Sequence, residues 1–196
     1  MPARDKPRKQ VYQLKVTLRD IKPPVWHRVH VSNDSTLYEF HEALQILMGW
    51  TDSHLHEFMI SGTAYGDPEI DPVADVEDET VVKLDEIVSK EKERFHYRYD
   101  FGDCWDHEVV VEKILPVEKG IRYPFCVAGE RACPPEDCGG APGYAELLAA
   151  LGDPSHPDHD HFFAWLPGDF DSEKFDAVRV NKGLRTAGGK RRKART

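Results

Sequence analysis

The sequence has no long hydrophobic run and very little cysteine. No apolar stretch approaches the roughly 20 residues that are needed to cross a bilayer, and MPARDKPRKQ at the start has no apolar segment typical of a secretory signal. Only 4 of the 196 residues are cysteine, and none form a C-x2-C pair. We therefore expect a cytoplasmic protein without membrane contact, in which disulfide bonds are disfavoured.

The sequence also lacks the motif sets of two enzyme classes that single features suggest. Asp100-Phe101-Gly102 resembles the DFG of protein kinases, but no Gly-rich phosphate loop or H-R-D loop precedes or surrounds it. Strand-exchange enzymes need several arginines around one nucleophile, whereas the internal arginines here are scattered through an acidic body. These absences argue against a kinase and against a recombinase.

Basic residues are concentrated at the two ends of the chain. Residues 182–196 carry seven basic groups and no acid, and the body between the two ends carries 15 basic against 34 acidic residues, a net charge of −19. We expect residues 1–10 and 185–196 to be disordered around a single domain at 11–184. The basic 182–196 tail predicts weak nucleic-acid contact that does not depend on base sequence. A solvated end without such a function explains the same run of basic residues.

Hydrophobic periodicity predicts an α+β fold. Alternating patterns of period two predict strands at 12–19, 25–31, 54–60, 94–101 and 105–115. A capping box at Thr36 and Glu39, followed by helical spacing up to Gly49, predicts a helix over 36–48. Helices are expected near 144–151, 160–166 and 172–184, and a long loop at 66–80. Residues 113–143 are rich in Pro and Gly and hold three of the four cysteines. The prediction is a mostly antiparallel sheet with one covering helix and a helical C-terminal part.

Four histidines lie on the apolar sides of these predicted elements. His41 shares a helix face with Leu37 and Leu44, and His54, His56 and His107 continue the apolar faces of two strands. Imidazoles from distant segments suit zinc, which makes a zinc site one hypothesis. The alternative is that these are core histidines, hydrogen-bonded to carboxylates such as Asp100 and Asp103.

Several motifs together resemble one known family. They are LYEFHEALQILMGW, HLHEF, YRYDFGDCWDHEVVVEKI, CVAGERACPPEDCGG and FDSEKFDAVRVNKGL, in this order. The chain from Tyr12 to Leu184 resembles the plasmid Ri open-reading-frame-three-like family, which occurs on plasmids, chromosomes and some insertion elements. The resemblance implies an association with mobile elements and no defined biochemical activity. Cys104 and Cys138 depart from the usual family pattern.

The resemblance adds thiols to the candidate metal site. Cys126 and Cys133 are carried over from it as ligands beside the four histidines. The carboxylates expected to orient the imidazoles by hydrogen bonds, without binding the metal themselves, are Asp100, Asp103, Glu136 and Asp137.

Three function classes remain open after these observations. The first is a cytosolic binding or accessory protein with a structural metal site. The second is a metal-dependent hydrolase, in which Glu136, Asp137 or Asp103 acts as base. The third is a nucleic-acid-associated factor that uses its basic ends.

Overall fold

The computed structural model of the chain describes residues 9–70, 75–166, 168 and 170–194. Its strands are β1 (Gln10–Leu18), β2 (Trp26–Ser32), β3 (His56–Ile60), β4 (Thr63–Gly66), β5 (Glu77–Asp78), β6 (Arg94–Tyr99), β7 (Trp105–Pro116) and β8 (Phe125–Glu130). Its helices are α1 (Leu37–Met48), α2 (Leu84–Ile87), α3 (Gly140–Gly152), α4 (His159–Trp165) and α5 (Ala177–Ala194).

The strands form one eight-stranded sheet in the order β5-β4-β3-β6-β7-β1-β2-β8. Its strand pairs are antiparallel except for the short parallel pair of β4 with β5. Each strand that the alternation predicted is present within two residues of its predicted ends, as is the covering helix α1. The predicted α+β class is confirmed.

Helix α1 begins and ends where its sequence indicates. The Thr36 hydroxyl accepts a hydrogen bond from the backbone N–H of Glu39, and the Glu39 carboxylate accepts one from the N–H of Thr36. This reciprocal arrangement satisfies two N–H groups that a helix start leaves free. At the other end Gly49 has a φ of 80°, the left-handed conformation that stops a helix and turns the chain sharply.

The hydrophobic core lies between α1 and the inner face of the sheet. Phe40 of α1 contacts Phe58 of β3 and Phe95 of β6, with ring centroids 5.9 and 6.3 Å apart. The strand register places Phe58, Tyr97 and His107 in one row across three neighbouring strands. Histidine and tyrosine side chains are therefore built into the wall that α1 covers.

The structure also shows elements that the periodicity did not indicate. β8 lies inside the Pro- and Gly-rich stretch at 113–143, where it pairs with β2 and carries one buried side chain, Cys126. A strand with a single buried position has no alternation to detect. β4 and β5 have four and two residues, too short for a pattern.

The two ends of the chain differ from the predicted division. Residues 1–8 and 195–196, which belong to the predicted basic ends, lie outside the described residues. Helix α5 was expected to end at Leu184 but extends to Ala194, so most of the predicted tail is helical. Among the described residues, none of the helices combines the length and the apolar composition that a membrane span requires.

Candidate functional site

A cleft of about 530 Å³ opens beside the first turns of α1. The segment 52–57, described residues of 66–70 and 76–79, and Phe101 form its other walls. The side chains that carry polar chemistry in it are His41, Asp52, His54, His56, Glu57, Asp67 and Glu79. No lysine or arginine is among the lining residues, so the cleft is acidic and suits a cation.

His41 is held at both of its ring nitrogens. It projects from α1 with 1% of its surface exposed, and Nδ1 lies 2.9 Å from the hydroxyl of Tyr97. Its Nε2 lies 3.0 Å from Oδ1 of Asp52. Asp52 can reach back to α1 because the chain turns at Gly49 and because Asp52 itself has a φ of 59°, a conformation that aspartate tolerates better than most residues.

The surrounding bonds decide which nitrogen of His41 carries the proton. The backbone N–H of Asp52 donates to Oε1 of Gln45, and Nε2 of Gln45 donates to the hydroxyl oxygen of Tyr97. The Tyr97 O–H then donates to Nδ1 of His41, so His41 Nε2–H donates to Asp52. Four side chains thus fix a neutral imidazole that points its N–H into the cleft.

The ionisation of this group agrees with its hydrogen bonds. Burial lowers the pKa of His41, an effect that the bond to Asp52 only partly opposes. The same bond from His41 lowers the pKa of Asp52. Burial also raises the pKa of Tyr97 far above its ordinary value. At neutral pH the group therefore contains a neutral imidazole, a neutral phenol and one carboxylate.

His56 and Glu79 form a second pair that lies directly on the first. The rings of His41 and His56 are stacked, with centroids 3.5 Å apart and planes 2° from parallel. The two carboxylate oxygens of Glu79 lie 3.0 and 2.9 Å from Nε2 of His56. Glu79 is held there by its backbone, which donates to Gly66 O and accepts from the N–H of Tyr38.

The two pairs together have an excess of negative charge. The side chain of Glu79 is only 1% exposed, and a buried carboxylate is costly without a compensating cation. The neutral imidazole of His41 does not offset the charge of the Asp52 carboxylate. A bound cation would remove this imbalance.

His54, the third predicted histidine at the cleft, belongs to a smaller group of possible metal donors. Nε2 of His54 lies 3.0 Å from Asp137 and 3.7 Å from Asp100, and donor atoms of all three lie within 4.8 Å of one another. Oδ1 of Asp100 accepts the N–H of Gly102, which leaves Oδ2 directed at His54. Asp100 and Asp137, predicted to support an imidazole, do contact one.

The remaining predicted ligands lie elsewhere in the structure. His107 is fully buried, with Nδ1 3.3 Å from Tyr97 O and with its ring edge-to-face with Trp50. Cys133 contacts the sulfur of Met48 at 3.0 Å, and the backbone of Cys126 is bonded to Asn181 of α5. Among the described residues, neither thiol nor His107 belongs to a group of three clustered donors.

The other two predicted supporting carboxylates bind protein groups away from the imidazoles. Glu136 accepts hydrogen bonds from the hydroxyl of Tyr99 and from Thr51, and Asp103 accepts one from the N–H of Gly139. Burial raises the pKa of Cys126 to about 11, and it also raises that of Cys133. Both thiols are therefore protonated, as buried structural cysteines are.

Sequence reasoning missed Asp52, Glu79 and the Gln45–Tyr97 pair. Glu79 lies in an acidic segment without periodicity, where nothing distinguishes a buried carboxylate from its solvated neighbours. Tyr97 could have been found, because it alternates in phase with the buried residues of β6 and needs a partner for its hydroxyl.

Removing the Tyr97 hydroxyl tests this network. In Tyr97→Phe, Nδ1 of His41 loses its donor and Nε2 of Gln45 its acceptor, both in the core. We expect a loss of about 2 kcal/mol in the free energy of unfolding, measured by urea denaturation. The control Tyr65→Phe, on neighbouring β4, removes a hydroxyl with no hydrogen bond to a described residue, and should change little. Equal effects of the two substitutions would contradict the network.

Comparisons with known proteins agree on one family. A family model described as plasmid pRiA4b ORF-3-like protein matches residues 10–179. Uncharacterized protein y4hQ of Sinorhizobium fredii is 37% identical over 176 residues, which is 89% of this chain and 90% of that protein. The crystal structure of MM3350, a protein of unknown function from Methanosarcina mazei Go1, is similar with a TM-score of 0.78 and 39% identity, and covers 87% of this chain and 97% of that one.

Proposed function

The chain belongs to the plasmid pRiA4b ORF-3-like protein family, and from the chemistry of its cleft we propose that it is a metal-binding protein. The ion is a divalent transition metal, with zinc the first candidate, and its ligands are His41, Asp52 and His56. We place this function in the cytosol, as an accessory activity associated with mobile elements, in keeping with the plasmid origin of the family name.

One observation carries this proposal. One donor atom each from His41, Asp52 and His56 lies within 4.8 Å of the other two. Ligands of a tetrahedral zinc ion are about 3.4 Å apart, as follows from zinc–ligand distances of about 2.0–2.1 Å. The rings of His41 and His56 are stacked and parallel, so closing the set around an ion requires the two ring planes to tilt toward one point as well as the donors to approach. Two imidazoles and a carboxylate are donors that zinc and other first-row metals accept.

Hydrogen-bonded neighbours would support these ligands. With a metal on Nε2, His41 would carry its proton on Nδ1 and would donate it to the oxygen of Tyr97, whose own O–H would turn away from His41. Glu79 is positioned to hold the ring of His56. Ligand histidines in metal sites commonly have such a partner on the ring, which fixes the tautomer and increases ligand basicity.

Metal affinity of matched variants tests the proposal. We expect zinc to bind the EDTA-treated protein with one-to-one stoichiometry by isothermal titration calorimetry. We expect His56→Ala to weaken it at least about 100-fold, since a lost ligand should cost more than a lost supporting residue. Because His56→Ala leaves Glu79 buried without its partner, Asp52→Asn provides a second variant at a half-exposed ligand. His96→Ala, an exposed histidine on β6, is the control. Zinc affinity equal in all four proteins would overturn the proposal.

The openness of the cleft favours one alternative, a metal-dependent hydrolase. An ion bound by three protein ligands keeps a position for water, as catalytic zinc sites do. Of the bases considered from sequence, Glu136 and Asp103 are bonded to other protein groups, which leaves Asp137 with His54 at the cleft. The alternative therefore requires catalysis that His54→Ala abolishes without loss of zinc.

A further inference from the structure

A second cavity of about 400 Å³ lies apart from the metal cleft. It is enclosed by the end of α1, the segment 132–135 and the segment 170–180. The side chains that give it an apolar wall include Met48, Trp50, Cys133, Phe170 and Phe175. A cavity of this size, with an aromatic wall and polar groups at its rim, is typical of small-molecule sites.

His27 lines this cavity and has no hydrogen-bond partner. It projects from β2, is 1% exposed and stacks on Phe175 at a centroid distance of 4.5 Å. Neither Nδ1 nor Nε2 makes a hydrogen bond to a described residue. Buried polar atoms are nearly always paired, and within the described residues only an approach of the Arg131 backbone, outside normal hydrogen-bond geometry, serves this imidazole.

The packing around His27 leaves it little freedom to turn away. A Cβ atom on Gly129 of β8 would lie 2.6 Å from Cδ2 of His27 and 2.5 Å from Cε1 of Phe175. The imidazole is therefore fixed between the backbone of β8 and a phenyl ring. Burial lowers its pKa to about 4, although the backbone of Arg131 partly opposes this. A neutral imidazole has one donor and one acceptor for a ligand. Both nitrogens are buried, so a ligand reaches them only when the residues around the ring shift.

The rim of the cavity carries charged side chains, and its two carboxylates accept hydrogen bonds from backbone N–H groups. Asp171 accepts the N–H of Glu173, and Asp176 accepts the N–H groups of Val178 and Arg179. By contrast, Lys174 and Arg179 are exposed and form no ion pair with a described carboxylate. The rim therefore combines two cations that have no ion pair in the described part of the chain with two carboxylates, Asp171 and Asp176, beside which a bound anion must also lie.

From these features we propose that the second cavity binds a small aromatic carboxylate. The aromatic ring of the ligand packs against Trp50 and Phe175. A polar atom of the ligand hydrogen-bonds to His27, and the carboxylate of the ligand pairs with Lys174 and Arg179. This site shares no residue with the metal cleft and does not depend on metal binding there.

The test uses 1-naphthaleneacetate as the probe and the full chain as the protein. We expect saturable one-to-one binding by isothermal titration calorimetry, and a change in the 15N shifts of His27 in 15N-histidine-labelled protein. The neutral amide of the same probe should bind at least about tenfold more weakly, because it lacks the charge that Lys174 and Arg179 recognise.

Variants separate specific binding from general hydrophobic association. Both His27→Leu and the double substitution Lys174→Gln with Arg179→Gln should weaken binding of the probe at least about tenfold. The double substitution changes exposed side chains only, so it should not impair folding. Lys113→Gln, an exposed lysine on β7, is the charge control. Absence of saturable binding, or parental affinity in either variant, overturns the proposal.

Discussion

Lowering the pH from 6.5 to about 4 should reduce the free energy of unfolding by about 6 kcal/mol. The cause is two histidines buried in neutral form, His27 and His107, whose pKa values burial lowers from 6.5 to about 4. In the unfolded chain both take up a proton near pH 6.5, whereas in the folded protein they do so only near pH 4. Each pKa difference corresponds to about 3 kcal/mol.

The sign of this effect follows from the proton balance. Between pH 6.5 and 4 the unfolded state binds more protons, so stability falls as the pH falls, with a maximal slope of about 2.7 kcal/mol per pH unit for two protons. Total stabilities of domains are about 5–15 kcal/mol, so the protein should approach unfolding near pH 4. Above about pH 7.5, one unit beyond their unfolded pKa, these two histidines should contribute almost no pH dependence.

Urea denaturation of EDTA-treated protein at pH 7, 6, 5 and 4.5 measures this effect without a contribution from metal release. His107→Gln should reduce the slope by the share of one proton, because glutamine does not titrate. His96→Gln, which changes an exposed histidine, should leave the slope unchanged. A free energy of unfolding that stays constant from pH 6.5 to 5 would show that the two imidazoles are not buried as described.

Gly143→Ala should strongly destabilise the protein. An ideal Cβ at this position would lie 1.9 Å from the carbonyl oxygen of Cys138 and 2.9 Å from its carbon. Both are backbone atoms, so only a movement of the chain can relieve the overlap. We expect a loss of about 3 kcal/mol or more, which lowers the melting temperature by about 6–12 °C in a chain of this size.

The same helix provides a matched control. Gly152 is the last residue of α3, and a Cβ there meets no atom within 4 Å. Gly152→Ala should therefore be neutral or stabilising by up to about 1 kcal/mol. Each variant adds one methyl group to α3, at a different position. Differential scanning calorimetry compares their melting temperatures directly. Equal melting temperatures would refute the close approach of Gly143 to Cys138, whose neighbour Asp137 lies against His54.

The sequence predicted those parts of the fold that have a strong local pattern. Helix α1 is one example, because its capping box, its apolar face and its terminal glycine all indicate the same boundaries. The inward orientation of His41 and His107 followed from the same patterns, and both are at most 1% exposed. β8 and β5 could not be predicted, because they form strands by pairing with the sheet and their own residues show no alternating pattern.

The candidate site shows a similar division. Periodicity identified His41, His54 and His56, which lie along one cleft. Their carboxylate partners depend on how loops fold back onto α1, and no local pattern encodes the 3.0 Å contact of Asp52 with His41. The thiols carried over from the family resemblance lie among core residues at other places in the structure. Residue type alone did not distinguish a ligand from a packed side chain.

An anomalous difference map at the zinc absorption edge, from crystals of the full chain grown with zinc, tests the central claim most directly. The account predicts one strong peak in the cleft, about 2.0–2.2 Å from a nitrogen of His41, a nitrogen of His56 and an oxygen of Asp52. A cleft without a peak would contradict the account, as would a peak only at His107, Cys126 or Cys133.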